Sequence, residues 1–300
     1  MATVSTWIKA FRLRTLPLAM SATVLGSFLA VDRGKYKWSV LVLGMLTTLF
    51  LQVLSNLAND YGDALKGTDN KKRLGPLRVT QTGLVTMKSM RFMITLFIIL
   101  SLIAGSLLIY FGLGPNYSPL YLLFFLLGIT AIYAAIKYTI GKRPYGYAGF
   151  GDVMVFIFFG ILGVTGTYYL HSHHFSWDIL MPASAIGLFS VGVLNLNNLR
   201  DRENDRENGK NTLVVRMGLS WAKIYHISLL LAGFLLSLVY TLFHFTSAYQ
   251  FLFVLALPLL VSNISKVIIN TVPVELNSEL KKLALATLLF SLSFGIGLIL

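Results

Sequence analysis

The sequence predicts an all-α polytopic membrane protein, with about nine transmembrane helices around a cavity that opens to the cytoplasmic side. Three observations carry that expectation. The chain of 300 residues is 56% hydrophobic, only 12% charged, and has a mean hydropathy of +0.72, whereas an ordinary soluble domain is roughly a quarter charged. Its apolar residues gather into stretches near the ~20 residues that a helix needs to cross a bilayer. The charged residues between those stretches are strongly sided.

The first stretch, 16–31, follows the basic N-terminus "MATVSTWIKAFRLRTLPLAM". No A-x-A-like cleavage pattern follows its apolar run, so it reads as a mature end feeding the first span rather than a signal peptide. Further spans are expected at 38–58, 91–112, 119–138, 151–170, 178–199, 222–244, 249–270 and 282–300. Together they read as one integral-membrane domain over 1–300. Eight spans are the alternative, because the first stretch is short and the last has no charged stop.

With the N-terminus inside, 22 of the 25 lysines and arginines fall on one side. They lie in loops holding Lys9, Arg12 and Arg14; Lys66 through Arg91; Lys137, Lys142 and Arg143; Arg200 through Lys223; and Lys266, Lys281 and Lys282. Only Arg33, Lys35 and Lys37 fall opposite. Cytoplasmic loops carry such an excess, so the reading is a cell-membrane protein with its N-terminus in the cytosol. The formal charge of +13 and pI near 9.9 therefore reflect topology, with the lipid bilayer as partner and no nucleic acid, since no basic stripe on a soluble fold is available. The acids obey the same partition. Only Asp32 and Asp178 fall outside, so chemistry is expected at the cytoplasmic face. The absence of cysteine excludes a disulfide framework, a thiolate metal site and a catalytic thiol. His171, His173 and His174 lie on the opposite side without acidic partners, which makes them weak metal ligands.

Two of the spans end in the same unusual chemistry. Residues 55–78 read "SNLANDYGDALKGTDNKKRLGPLR" and residues 195–212 read "NLNNLRDRENDRENGKNT". At 100° per residue, Asn56, Asn59, Asp60 and Asp63 share one helical stripe, and Asn197, Asn198, Asp201 and Asp205 share another. Two such faces opposed across a cavity make an oxygen-rich site suited to Mg²⁺, commonly held by one or two carboxylates plus phosphate oxygens. The expected metal ligands are Asp60, Asp63, Asp201 and Asp205. For either segment alone, a solvated charge run is the simpler reading. Their pairing weakens it, because ionisable groups beside hydrocarbon are costly and functional by default. Arg200, Arg202, Glu203 and Glu207 lie largely off the stripe, as solvated charges or supporting partners. A diphosphate between the two faces also needs cations, for which Lys66, Arg78, Lys137, Arg143 and Lys210 are the candidates. Lys71, Lys72 and Arg73 read as topological charge.

These segments, with "KRPYGYAGFGD" between them, resemble the UbiA superfamily of intramembrane aromatic prenyltransferases. The resemblance runs from "FRLRTLPLA" at 11–19 to at least "NTLVVRMG" at 211–218. It implies two aspartate-rich motifs that bind Mg²⁺ and an isoprenyl diphosphate. The first motif of many members is N-D-x-x-D-x-x-x-D. Asn59, Asp60 and Asp63 match its opening, but the fourth residue after Asp63 is Gly67 and the next acid is Asp69, which leaves the part of Asp69 open. Asp201 and Asp205 meet the second motif, D-x-x-x-D, without departure.

"NDYGDALKGTD", "GPLRVTQTG", "RPYGYAGFG" and "NNLRDRENDRENGK" look closest to the branch that prenylates 1,4-dihydroxy-2-naphthoate in menaquinone synthesis. That likeness implies polyprenyl transfer from an allylic diphosphate, with release of diphosphate and CO₂. It implies catalytic roles for Asp60, Asp63, Asp201, Asp205 and Arg143. Asn56, Asn59, Lys66, Arg78, Lys137, Tyr145, Asn198 and Lys210 are the expected substrate contacts. Arg143 or Lys137 holds the acceptor's carboxylate in this reading, and Asp152 or Tyr145 its phenolic proton. Other acceptors, such as 4-hydroxybenzoate, homogentisate or haem, are the alternative within the superfamily. A CDP-alcohol phosphotransferase requires a D-G-x-x-A-R opening that "NDYGDALKG" does not supply. An ion-coupled secondary transporter also places Asn/Asp clusters at membrane depth, but near the midplane and in broken helices. Here the acids sit at span ends beside basic loops.

Nine spans put the two termini on opposite sides of the membrane. A phosphatase active only outside the cytosol, fused after Leu300, is expected to be active in whole cells, and an inactive fusion there would exclude the nine-span topology.

Overall fold

In a computed structural model, which describes residues 3–70, 73–115 and 118–300, the chain is built from helices, and no strand occurs among those residues. Helix α1 (Val4–Phe11) begins at Thr3, whose hydroxyl accepts the Thr6 N–H at 3.3 Å, and ends at Arg12 in the left-handed region (φ 50°). A 3₁₀ turn leads into α2 (Leu16–Asp32), which has proline in its first turn, where the missing N–H is harmless. There follow α3 (Trp38–Leu65), α4 (Met87–Leu113) and α5 (Ser118–Lys137). Helix α6 (Gly151–Val155) continues through a π-helical stretch, Phe156–Leu162, into α7 (Gly163–Ser172). The last five are α8 (Leu180–Glu207), the short α9 (Leu213–Met217), α10 (Leu219–Phe243), α11 (Leu257–Ile269) and α12 (Leu276–Ile299).

Among the described residues nine helical segments are long and apolar enough to cross a membrane, in accord with nine spans rather than eight. Large apolar side chains such as Phe92, Leu122 and Leu235 stay exposed on them, as a lipid-facing surface requires. Two ends differ from the expected positions. Helix α3 runs to Leu65 and α8 to Glu207, past the expected 58 and 199. Asn and Asp disfavour helix interiors because their side chains compete for backbone hydrogen bonds. In both helices these side chains instead find tertiary partners, so the final turns stay wound and carry the acids as rigid elements.

Packing divides into a small apolar cluster between α3, α4 and α7, made of Val40, Ile109, Leu113 and Leu170, and two main ones. The larger joins α2, α7, α8, α10, α11 and α12 through residues such as Leu25, Leu29, Phe189, Phe253, Phe290 and Phe294. The smaller joins α1, α3 and α4 with the segment around Val79 and Val85. Helix α8 lies against α10, α12 and the π-helical stretch. There a Cβ on Gly160 would fall 2.5 Å from the Gly187 Cα, so the two backbones meet directly, as small residues allow between membrane helices.

A second close approach fixes the site. Gly62, in the middle of "NDYGD", faces Thr139 so closely that a Cβ would lie 2.7 Å from the Thr139 Cβ and 2.8 Å from its carbonyl carbon. The Thr139 hydroxyl donates to the Ala58 carbonyl at 3.0 Å. The loop after α5 is thereby held against the acidic end of α3.

At the other end of the molecule the histidines are structural. The His171 Nδ1 accepts the Lys37 N–H at 3.1 Å while its Nε2 meets the Ser27 hydroxyl at 3.0 Å. His173 lies 2.8 Å from Lys37 Nζ and 2.7 Å from the Gly112 carbonyl. These contacts tie α2, α4 and α7 together, and no metal-holding cluster occurs among the described residues.

Overpacking a close contact costs about 1–3 kcal/mol. Gly62→Ala is expected to lower the unfolding temperature in detergent, and Thr139→Ala in the same chain to recover part of the loss; independent, additive effects would show that the contact does not govern this region.

Candidate active site

The acidic end of α3 is charge-paired from two directions. Asp60 and Asp63 are 1% and 4% exposed, too buried to stay ionised without partners. Asp60 pairs with the guanidinium groups of Arg12 and Arg78. Arg78, from the loop between α3 and α4, also reaches Asp63 at 3.5 Å and Asp69 at 3.4 Å. Burial lowers the Arg78 pKa to about 10, so it remains a cation at neutral pH. Arg12 is delivered by its left-handed turn. Asn56 secures that turn through its amide, which donates to the Phe11 carbonyl at 3.0 Å and the Thr15 hydroxyl at 3.1 Å.

The acidic end of α8 is organised by arginine and lysine. Arg200 grips Asp201 with two donors, Nε at 3.0 Å and Nη2. It also donates to Asn197 and Asn277, both at 2.8 Å. Asp205 faces Lys210 at 3.6 Å. Burial works against the charge on Lys210, yet Asp63 and Asp205 outweigh it and raise its pKa above the ordinary lysine value.

Three links join the two ends. Arg73 lies 3.3 Å from Asp69 and 3.9 Å from Asp201, one acid from each motif. Asn204 of α8 donates its amide to the Thr68 carbonyl at 3.0 Å. Tyr147, on the loop after α5, donates to Asp63 at 2.8 Å and meets the Thr68 hydroxyl at 2.5 Å. Its ring lies beneath Lys66 and Lys210, 4.7 and 5.4 Å from the centroid. The Asn211 N–H donates to the Tyr147 carbonyl at 3.0 Å, which anchors this loop to the segment after α8. Burial, and next the charge of Asp63, push the Tyr147 phenol up. Five carboxylates thus share one basin with six cationic side chains, those of Arg12, Lys66, Arg73, Arg78, Arg200 and Lys210. The arrangement can neutralise an anionic substrate and a divalent cation together.

The chain matches the UbiA prenyltransferase family over residues 19–285. This protein belongs to that family. It is 42% identical to an enzyme named 1,4-dihydroxy-2-naphthoate octaprenyltransferase from Escherichia coli (strain K12), covering 98% of this chain and 95% of that one. It is 44% identical to the Haemophilus influenzae enzyme of the same name, with the same coverage. Its fold is similar to that of a UbiA homologue from Archaeoglobus fulgidus bound to DMAPP and Mg²⁺, with a TM-score of 0.58, 19% identity, and 96% and 98% of the two chains covered.

In this UbiA-family chain the structure gathers Asp60, Asp63, Asp201, Asp205, Lys66, Arg78 and Lys210, and places other expected residues elsewhere. Arg143 is exposed, and neither it nor Lys137 pairs with an acid among the described residues. The reason is that Gly141 and Pro144 turn the loop so that Tyr147, not Arg143, points inward. The Tyr145 hydroxyl donates to the Ala134 carbonyl at 2.8 Å, so it caps α5 instead of facing the acids. Asn56 orders Arg12, as described. Asn59 accepts weakly from Thr139 at 3.5 Å, and Asn198 is buried with its amide oxygen unpartnered among the described residues. Lys71 and Lys72 lie outside the described residues. Arg73 is a correction: assigned to topology, it joins the two motifs. Arg200 is buried and holds Asp201, the supporting-partner reading of the two given for it, whereas Arg202 pairs with the exposed Glu203 at the surface. Asp69, whose part the first motif's spacing leaves open, joins the site through Arg73 and Arg78, and Arg12, Tyr147 and Asn204 are the members that the sequence reading does not name as site residues.

The donor set fits Mg²⁺. Among the described residues no three acids converge closely enough to enclose a metal unaided. Both motifs nevertheless offer buried oxygens without a hydrogen-bond partner: both of Asp69, Oδ2 of Asp205 and the amide oxygen of Asn198. All are hard donors, and Mg²⁺ prefers few protein ligands completed by phosphate and water.

Burial, and next the Asp63 charge, push the Asp69 carboxyl up to about 7, against the pull of Arg73 and Lys210. A carboxyl raised in this way stabilises the fold below its unfolded pKa of about 4 and loses that contribution as pH climbs towards the folded value. In chelator, Asp69→Asn is expected to flatten the fall of unfolding temperature between those two pH values; an unchanged slope would count against a buried, raised Asp69.

Proposed function

We propose that this chain transfers a polyprenyl group from an allylic diphosphate to 1,4-dihydroxy-2-naphthoate, releasing diphosphate and CO₂ and giving demethylmenaquinone in its quinol form. The observation that carries the choice of acceptor is identity of 42% and 44%, over 98% of the chain, to two enzymes named for it. The charge asymmetry of the loops supports a site at the cytoplasmic face of a cell membrane. That placement suits the substrate. Each buried CH₂ contributes about 0.8 kcal/mol, so a long tail stays in lipid and its diphosphate sits at the interface, where α3 and α8 end.

The roles follow from the geometry. Asp60, Asp63, Asp201 and Asp205, with Asp69, are the residues that would hold Mg²⁺. When bound, the ion supplies Lewis-acid neutralisation of the departing diphosphate. Arg78, Lys66 and Lys210 add fixed positive charge for the phosphate oxygens, inside a basin where such charge acts strongly. Tyr147 holds Asp63 in place and spaces the two lysines. Its ring, with those of neighbouring tyrosines, offers a π face to cationic character developing at the first allylic carbon. The ring carbon of the acceptor supplies the electrons for the new bond, so no protein nucleophile is needed. Asp152, buried and hydrogen-bonded by the Tyr225 hydroxyl at 3.3 Å, is the base assigned to the acceptor's hydroxyl proton.

Membranes containing the protein, supplied with Mg²⁺, dihydroxynaphthoate and allylic diphosphates of several lengths, are expected to yield a quinol whose mass equals that of the acceptor acid plus the prenyl group, less CO₂ and a hydrogen, and its air-oxidised quinone lighter by a further pair of hydrogens. A product that keeps its carboxyl, or prenylation of 4-hydroxybenzoate alone, would overturn the assignment. Asp60→Ala and Asp201→Ala are each expected to cut turnover by at least about 100-fold, the scale of losing a key electrostatic contact in a transition state. Chelation of Mg²⁺ should do the same to the wild type; full activity in either variant would remove that aspartate from the metal set.

A further inference from the structure

The acids of the site are flanked by cations of two kinds. On one flank are two ammonium groups, Lys66 and Lys210, astride the Tyr147 ring and beside Asp63 and Asp205. The other flank is made of guanidinium groups alone. Arg73 and Arg200 both rest against Gly75, where an added Cβ would collide with Arg73 Nη2 and lie 2.8 Å from Arg200 Nη2. Arg14, exposed on the 3₁₀ turn before α2, is within electrostatic reach of both. Three guanidinium groups here face two carboxylates, Asp69 and Asp201, and Asp69 is already shared with Arg78. Among the described residues the flank therefore carries more guanidinium groups than the carboxylates paired with them.

We infer that Arg73 and Arg200, with Arg14 at the mouth, form the site for the carboxylate of the aromatic acceptor. The inference rests on the function proposed above and replaces Arg143 and Lys137 in that role. Three points support it. A guanidinium fork matches a carboxylate with two parallel hydrogen bonds and stacks on an aromatic plane, whereas lysine acts as a point charge. Arg200 already displays the match in its two-donor grip on Asp201. The unpartnered Oδ2 of Asp205 belongs to the carboxylate that faces Lys210 on the other flank, which suits a metal and a diphosphate there. Two anionic substrates repel each other, and opposite flanks with the acids between them keep their charged ends apart. The guanidinium flank is held firmly enough to discriminate. Asn277 accepts from Arg200 at 2.8 Å and donates to the Leu74 carbonyl at 3.2 Å, and Arg73 donates to the Pro76 carbonyl at 2.7 Å.

The test uses the purified full-length protein and two readouts. In turnover, Arg73→Gln is expected to raise KM for dihydroxynaphthoate about tenfold or more, the scale of one charge-assisted contact, and by a larger factor than KM for the allylic diphosphate. In fluorescence titration without metal, 1-hydroxy-2-naphthoate should bind more weakly to Arg73→Gln, while 1-naphthol, which lacks the carboxylate, binds both proteins equally. Arg73→Lys, which keeps the charge but not the fork, should weaken naphthoate binding to an intermediate degree and covers the case in which Arg73→Gln fails to fold. A rise in KM confined to the diphosphate, or unchanged naphthoate binding in Arg73→Gln, overturns the inference. A wild type that binds the naphthoate through these arginines yet does not prenylate it would sink the proposed function and leave this site standing.

Discussion

Burying five carboxylates at the ends of apolar helices is the constraint on which the rest of the structure depends. Isolated charges at such depth cost far more than any fold can supply, and the side chains of Asp60, Asp63, Asp69, Asp201 and Asp205 are each no more than 6% exposed. The chain answers with arginines and lysines drawn from four separate segments, the turn after α1, the loop after α3, the end of α8 and the segment that follows it, and with the Tyr147 hydroxyl from the loop after α5. Removing one partner of a buried pair costs more than the pair contributes as a unit. The site is therefore a mutual lock, in which each loop is ordered by the charge it brings.

That lock explains features that would otherwise be anomalous. Arg12 adopts a left-handed backbone, φ 50°, at roughly 1–2 kcal/mol for a residue with a side chain. The contacts from Asn56 and Asp60 hold it there. Gly62 has no side chain because the loop bearing Thr139 and Tyr147 must press against α3 to reach Asp63. Arg73 spans Asp69 and Asp201, so the loop after α3 is the piece that turns two acidic helix ends into one basin. The lock also accounts for the contrast with a transporter. Four of the five acids here are carried on unbroken helix ends with a dense surround of guanidinium and ammonium groups, an environment suited to a multiply charged anion rather than a lone alkali cation.

Much of this was legible from residue order. Sustained apolar stretches, sided lysines and arginines, and two N/D-rich stripes were enough for the fold class, the number of spans and the pairing of Asp60 and Asp63 with Asp201 and Asp205. The loops were read less well. Arg143 and Tyr145 stood out because they lie in a distinctive motif, yet the turn at Gly141 and Pro144 aims Tyr147 at the acids instead. Residue order reads Arg73 as topological charge and leaves Arg200 between a solvated charge and a supporting partner, because a charge in a basic loop, or off a helical stripe, usually meets water. In this fold both are buried against carboxylates that come from another part of the chain.

The sequence by itself determined what is local or periodic: which segments are long and apolar enough to enter the membrane, which loops collect the basic residues, and which helix faces carry acids. Those properties depend on hydrophobicity and on the angular spacing of neighbouring residues, and both can be read along one dimension. Only the tertiary structure decided which cations meet which acids, that Arg12 and Tyr147 enter the site and Arg143 does not, and that the positive charge divides into an ammonium flank and a guanidinium flank. Such pairings join residues as far apart as Asp63 and Tyr147 or Leu74 and Asn277. They are set by the direction in which each loop leaves its helix, which sequence spacing does not specify.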